Sequence, residues 1–196
     1  MLTIKIYSWL CNPLKNRIMS IKAIAVFCGS KLGGNPLYEE HTRKLGKLLA
    51  EKNIAVVYGG GNRGLMGAVA NSVLENKGTV TGIIPELLQT QETLHESLTE
   101  THVVDGMHSR KKMIYERCDA AVILPGGYGT LDEVFEMLTW NQLKIHSKKI
   151  FILNTAGFYS HLVAHMAHLH DEGFLYNHPD DQFTVINEPE ALLKYL

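Results

Sequence analysis

The chain has 196 residues, 45% of them hydrophobic, and 19 basic against 20 acidic residues leave a formal net charge of −1. That length suits one domain with a sizeable core. Interspersed, nearly balanced charge excludes a nucleic-acid groove or a polybasic membrane surface as the default and favours a small-molecule partner.

The chain opens with "MLTIKIYSWLCNPLKNRIMS", whose apolar run is interrupted by Lys5. It has no small-residue cleavage site, so it does not read as a signal peptide, and it is too short and too charged to span a bilayer. Met19 stands just before the first convincing strand. Residues 1–18 are therefore expected to form a tail or extension outside the fold, and residues 19–196 a single domain. Cys11, Cys28 and Cys118 are odd in number and lack CxxC spacing. This fits a reducing, cytoplasmic setting and small buried thiols rather than a disulfide framework or a zinc knuckle.

From Ile21 the pattern alternates. "IKAIAVFCGS" reads as a strand ending in glycine, "YEEHTRKLGKLLAEKN" as a helix, "IAVVYGGG" as a strand and "LMGAVANSVLENKG" as a helix. Strand "TVTGIIP", a polar loop, strand "THVVD", helix "MHSRKKMIYERC" and strand "AAVILPGG" follow. A helix through Trp140, strand "KKIFILN", helix "FYSHLVAHMAHLHDEG" and strand "FTVIN" complete the series. Short apolar strands alternating with helices predict an α/β, Rossmann-like three-layer fold with a mostly parallel central sheet. Such sheets bind ligands at the carboxyl ends of their strands. The glycine-rich stops after Phe27, Tyr58 and Leu124 lie at such ends and are expected to converge on one crevice.

The run Gly59-Gly60-Gly61-Asn62-Arg63-Gly64 fits G-x-G-x-x-G between a strand and a helix. A dinucleotide site also needs an acid at the tip of the next strand, but "TVTGIIP" ends in Ile84-Pro85. The NAD reading loses its support. Two readings of Gly60 and Gly61 stand: a phosphate site, or a tight strand–helix turn. "DGMHSRKKM" places Arg110 and Lys111 at another strand end, either as a solvated basic face or toward an anionic ligand.

"PGGYGTLDE", Pro125 to Glu133, says more. Its glycines let backbone N–H groups approach a ligand at the positive end of the following helix, so Gly126, Gly127, Gly129 and Thr130 can wrap a phosphate. The competing structural reading is a capping box, T-x-x-E, from Thr130 and Glu133. It explains the threonine and the acids, but not the glycines and the proline. A phosphate at this helix end would be repelled by adjacent carboxylates, so Glu133 should face another part of the ligand.

Together these motifs resemble the LONELY GUY family, the cytokinin riboside 5′-monophosphate phosphoribohydrolases, long mislabelled as lysine decarboxylases. The signature PGGxGTxxE is present as Pro125 to Glu133, and the companion M-H-x-R-K as Met107 to Lys111. The likeness runs from about Ala23 to the C-terminal helix and includes "GGGNRGLMG", "TWNQLKIH" and "DEGF"; the loop "ELLQTQETLHE" is divergent. The resemblance implies removal of the base from a nucleoside 5′-monophosphate, AMP or N6-modified AMP, to give ribose 5-phosphate. It implies Arg110 and Glu133 as the catalytic pair. Glu92, Arg110, Lys111, the loop Gly126, Gly127, Tyr128, Gly129, Thr130, Leu131 and Asp132, and Thr139 are implied nucleotide contacts. It also implies a homodimer, with no cofactor and no metal.

The alternative is a Rossmann-like module that binds a nucleotide or cofactor without cleaving it. The decarboxylase label fails on chemistry: it needs a lysine-bound pyridoxal phosphate, and no lysine stands in a recognisable site for one. His161, His165 and His168 form a stripe beside Leu162, Met166 and Leu169. With no neighbouring Cys or acid pattern, this is a polar flank or interface rather than a metal site. Apolar Val134, Phe135, Leu138 and Trp140 exceed what one sheet face needs, the signature of a subunit interface.

Overall fold

The computed structural model describes residues 21–88 and 94–196. The expected tail, residues 1–18, and Glu92 lie outside the described residues. Seven strands, β1 (Ala23–Phe27), β2 (Ala55–Tyr58), β3 (Val80–Pro85), β4 (Glu100–Val104), β5 (Ala120–Ile123), β6 (Lys149–Leu153) and β7 (Thr184–Ile186), pair in the order β4-β3-β2-β1-β5-β6-β7. Every pairing is parallel. The order reverses between β1 and β5, which is where open α/β sheets form a ligand crevice.

Among the described residues five longer helices connect the strands: α1 (Leu37–Glu51), α2 (Gly64–Glu75), α3 (Met107–Glu116), α4 (Tyr128–Gln142) and α5 (Ser160–Asp171). The central strands β1, β2, β5 and β6 are apolar runs because both sheet faces are covered there, whereas edge strand β4 is largely exposed, and the pleat divides the core in two. Ile24, Val26, Val122 and Phe151 belong to one cluster with α1 and α2 side chains such as Leu45, Leu49 and Val69. Ala25, Phe27, Ile123 and Ile152 belong to the other, with Ile114, Tyr115, Val134 and Met137 from α3 and α4.

α1 and α2 approach closely because position 46 has no side chain: a Cβ on Gly46 would lie 2.8 Å from Ser72 Cβ. The Ser72 hydroxyl donates to Arg43 O across the same contact. No helix among the described residues is long and apolar enough to cross a membrane.

The loop that returns from β3 to β4 is anchored by His95, which is buried. Ser97 N–H donates to its Nδ1 at 3.3 Å, so Nε2 carries the proton toward Asn71 Oδ1 at 3.0 Å. The neutral ring satisfies both contacts; a second proton on Nδ1 would face an N–H donor. Burial accordingly holds His95 below its ordinary pKa of 6.5. The unfolded chain then binds more protons than the folded one, so this contribution to stability is complete above about pH 6.5 and is lost as pH falls through the lowered folded value. Thermal melts at pH 7.5 and pH 5 should show a smaller acid-induced fall for His95→Gln than for wild type. An equal fall in both would contradict this role.

Candidate active site

The carboxyl ends of the central strands surround a crevice of about 300 Å³. Gly29 and Ser30 enter from the end of β1, Gly59 from β2, and Leu88 from beyond β3. α3 contributes Met107 and Arg110, and the start of α4 contributes Gly127 to Thr130 with Asp132 and Glu133. The three glycine-rich stops do converge, and their backbones are stitched together. Gly29 N–H donates to Pro125 O at 3.0 Å, and Leu65 N–H donates to Gly29 O at 3.1 Å. A Cβ on Gly126 would lie 2.1 Å from Thr130 Oγ1 and 3.0 Å from Gly29 N, so the first helical turn of α4 packs directly on this glycine.

Arg110 is 5% exposed. Its Nε donates to Ile83 O at 3.1 Å and its Nη2 to Gly59 O at 2.9 Å, which fixes the plane of the guanidinium against the ends of β3 and β2. An added Cβ on Gly59 would lie 1.9 Å from Nη2. The G-x-G run therefore matters here for space: the glycine admits an arginine.

Glu133 stands in the second turn of α4, half-buried. The N-cap of α4 is Gly127 in an extended conformation, with no side-chain cap, and Thr130 is the third helical residue. The capping box read from T-x-x-E is not formed, because the helix begins earlier than that motif assumes. Glu133 is thus placed on the crevice wall without a capping role. Its charge reaches across the crevice: burial first, then Glu133, pushes the buried Cys28 thiol far above its ordinary value.

The comparisons with known proteins bear on what such a crevice does. The family described as "Possible lysine decarboxylase" matches residues 66–196. A cytokinin riboside 5′-monophosphate phosphoribohydrolase of Arabidopsis thaliana is 42% identical over 170 residues, covering 87% of this chain and 77% of that protein. One from Rhodococcoides fascians is 42% identical over 155 residues, covering 79% of this chain and 78% of the relative. The chain belongs to this family. Among solved structures, a molybdenum cofactor binding protein of Rippkaea orientalis superposes with a TM-score of 0.67 at 21% identity, covering 90% of this chain and 95% of the other. The molybdenum cofactor carrier protein of Chlamydomonas reinhardtii gives 0.67 at 19% identity, with 88% and 96% covered. At such identities the likeness is one of fold.

The family's implied contacts divide by position. Arg110, Gly127, Tyr128, Gly129, Thr130, Asp132 and Glu133 line the crevice together. Gly126 does not line the crevice but an adjoining depression, with Lys31, Tyr38 and Phe158. Leu131 packs against the apolar cluster beneath α4. Gly60 and Gly61 do not line the crevice: Gly60 O accepts from His95 N–H at 3.1 Å, Gly61 bridges Leu94, and Gly60 has φ +81°. Their observed work is a tight turn that holds the following loop.

Lys111 is occupied by acids, with Nζ 3.2 Å from Asp132 Oδ2 and 2.8 Å from Glu136 Oε2. Thr139 lies away from the crevice, in a groove between α4 and α5 with Phe135, Leu138 and Met166, and its hydroxyl donates to Phe135 O at 2.7 Å. Sequence reading missed Glu136 and the Tyr115 hydroxyl that donates to it at 2.8 Å. It named Gly59 only within the glycine run. Two of the four α5 histidines lie near acids, His168 Nδ1 4.0 Å from Glu172 Oε1 and His170 Nδ1 3.6 Å from Asp171 Oδ1. Among the described residues no group of three or more His, Cys, Asp or Glu is arranged to hold a metal ion.

Proposed function

We propose that this protein is a phosphoribohydrolase that cleaves the N-glycosidic bond of a nucleoside 5′-monophosphate, AMP or an N6-modified cytokinin-type AMP. The products are free base and ribose 5-phosphate. The observation that carries the reading is the meeting of Arg110 and Glu133 in one crevice at the sheet's switch point. Support comes also from relatives at about 42% identity whose names state this reaction.

The 5′-phosphate sits at the N-terminus of α4, where the first backbone N–H groups lack intrahelical partners and the helix field favours an anion. Glu133 lies about 4.5 Å further along the helix than Thr130, at 1.5 Å per residue, which sets its carboxylate against the ribose rather than the phosphate. As the bond from C1′ to the base nitrogen breaks, its electron pair leaves with the base and positive charge builds on the ribosyl ring. Glu133 stabilises that charge and orients the water whose oxygen adds to C1′; the proton this water loses balances the one the departing base takes up. Arg110, its guanidinium fixed by two carbonyls, positions the substrate and balances charge. Leu88 and Met107 on the crevice wall suit an apolar N6 substituent. Among the described residues lining the crevice none is a lysine, which counts against Schiff-base decarboxylation there.

The phosphate site gives a direct test. Adenosine, which lacks the phosphate, should be cleaved with kcat/KM at least about a hundredfold below AMP. Equal rates on both would remove the helix terminus from the reading.

The domain, residues 19–196, is proposed to act in the cytoplasm as a homodimer. Val134 is fully buried and Trp140 packs on Tyr115, so these two belong to the chain's own core and do not support an interface. Phe135, 40% exposed, remains on the α4–α5 groove with Leu138, Met166 and Leu175. Thr139 stands on this same face, so a nucleotide contact from Thr139 would be made across the dimer to the partner subunit's substrate. Light scattering at micromolar concentration should give a dimer, and Phe135→Glu should give a monomer. A monomeric wild type would end this proposal.

A further inference from the structure

Glu136 belongs to neither sequence motif, yet it is one of the residues that fasten α4 to α3. Its Oε2 lies 2.8 Å from Lys111 Nζ and accepts a 2.8 Å hydrogen bond from Tyr115. Lys111 and Tyr115 are i and i+4 on α3, and Asp132 and Glu136 are i and i+4 on α4, so each helix presents one face to the other. The contact is largely shielded, with side-chain exposures of 15% for Lys111 and 18% for Glu136. Tyr115 is itself held edge-on between Phe27 of β1 and Trp140 of α4.

Burial pulls the Lys111 ammonium down, but its bonds to Glu136 and Asp132 outweigh that and hold it above the ordinary lysine value. The fastened residues adjoin the catalytic pair in sequence: Lys111 follows Arg110, and Asp132 precedes Glu133.

We propose that Glu136 is a positioning residue: by holding Lys111 and Tyr115 it fixes α3 against α4, and thereby fixes Arg110 relative to Glu133 across the crevice. The inference rests on the hydrolase reading for its kinetic consequence but not for the contact itself. Lys111 is then a brace within the protein rather than a ligand of the phosphate. The two roles predict opposite kinetics. A brace loosened by Glu136→Gln misplaces the catalytic groups, so kcat should fall about tenfold with KM nearly unchanged. A phosphate-binding Lys111 released from Glu136 would instead lower KM and leave kcat intact.

Two measurements decide it. Steady-state cleavage of AMP by wild type, Glu136→Gln and the milder Tyr115→Phe should show the kcat loss in both variants at temperatures where circular dichroism reports full folding. Because both variants loosen one contact, the double variant should lose less than the sum of the two. In parallel, limiting acetylation with an N-hydroxysuccinimide ester, resolved by peptide mass spectrometry, reads the Lys111 amine without turnover. In wild type Lys111 should react about tenfold more slowly than exposed Lys112, and Glu136→Gln should remove most of that difference. If wild type releases no base, the hydrolase reading fails while the acetylation still decides the brace. Wild-type kcat together with unchanged Lys111 reactivity in Glu136→Gln would overturn the inference, as would a lowered KM with kcat intact.

Discussion

Glu133→Gln should cut the turnover of AMP by on the order of a hundredfold or more while leaving the fold intact. Glutamine keeps the shape of glutamate and removes its charge, so the variant isolates the carboxylate's interaction with the ribosyl cation. Nucleotide affinity should change far less and can rise, because a negative charge near the phosphate is gone. Had Glu133 been half of a capping box, glutamine would serve equally well. α4 takes its N-cap from Gly127, with no side-chain cap, so no cap is lost in the variant. Thermal stability should therefore stay close to that of wild type, and a Glu133→Gln enzyme that releases base at near wild-type rate would end the catalytic assignment.

Gly59→Ala should be nearly as damaging, through a single methyl group. The new Cβ would stand 1.9 Å from Arg110 Nη2, a separation no pair of heavy atoms can keep. Either the guanidinium leaves its 2.9 Å bond to Gly59 O or the strand end moves. Overpacking of this kind costs about 1–3 kcal/mol in stability. Displacing a group that positions substrate costs about a hundredfold in turnover for a shift near 1 Å. The diagnostic is non-additivity. Once Arg110→Ala has emptied the space, Gly59→Ala should add little. Gly34→Ala is the control, since nothing lies within 4 Å of a Cβ there. Additive losses in the double variant would show that Gly59 does not act through Arg110.

The layered fold was readable because its central strands are buried on both faces and its helices are not. Runs such as "IAVVY" and "AAVIL" against "YEEHTRKLGKLLAE" separate the two without ambiguity. The convergence of the glycine stops was readable for the same reason, since parallel strands all end at one edge. What stayed hidden depends on contacts between distant residues. T-x-x-E has the spacing of a capping box, and only the path of Gly127 shows that the helix starts before the threonine. Lys111 and Arg110 look alike as neighbours in a basic run. The fold buries one against two carbonyls and ties the other to Asp132 and Glu136, 21 and 25 residues further on. Val134 and Trp140 read as surplus apolar surface until the fold buries Val134 in the shared core and sets Trp140 edge-on against Tyr115 of α3. A motif records which residues are present, but not which of them have already been used to hold the site together.

Catalysis itself is tested most directly by incubating the purified protein with AMP, and in parallel with an N6-modified AMP, and separating the products by chromatography. Adenine and ribose 5-phosphate should accumulate in equal amounts, linearly with enzyme, and Glu133→Gln should nearly abolish both. Tight binding of AMP and of an N6-modified AMP with no free base from either would contradict the hydrolase and leave a nucleotide-binding protein on the same fold.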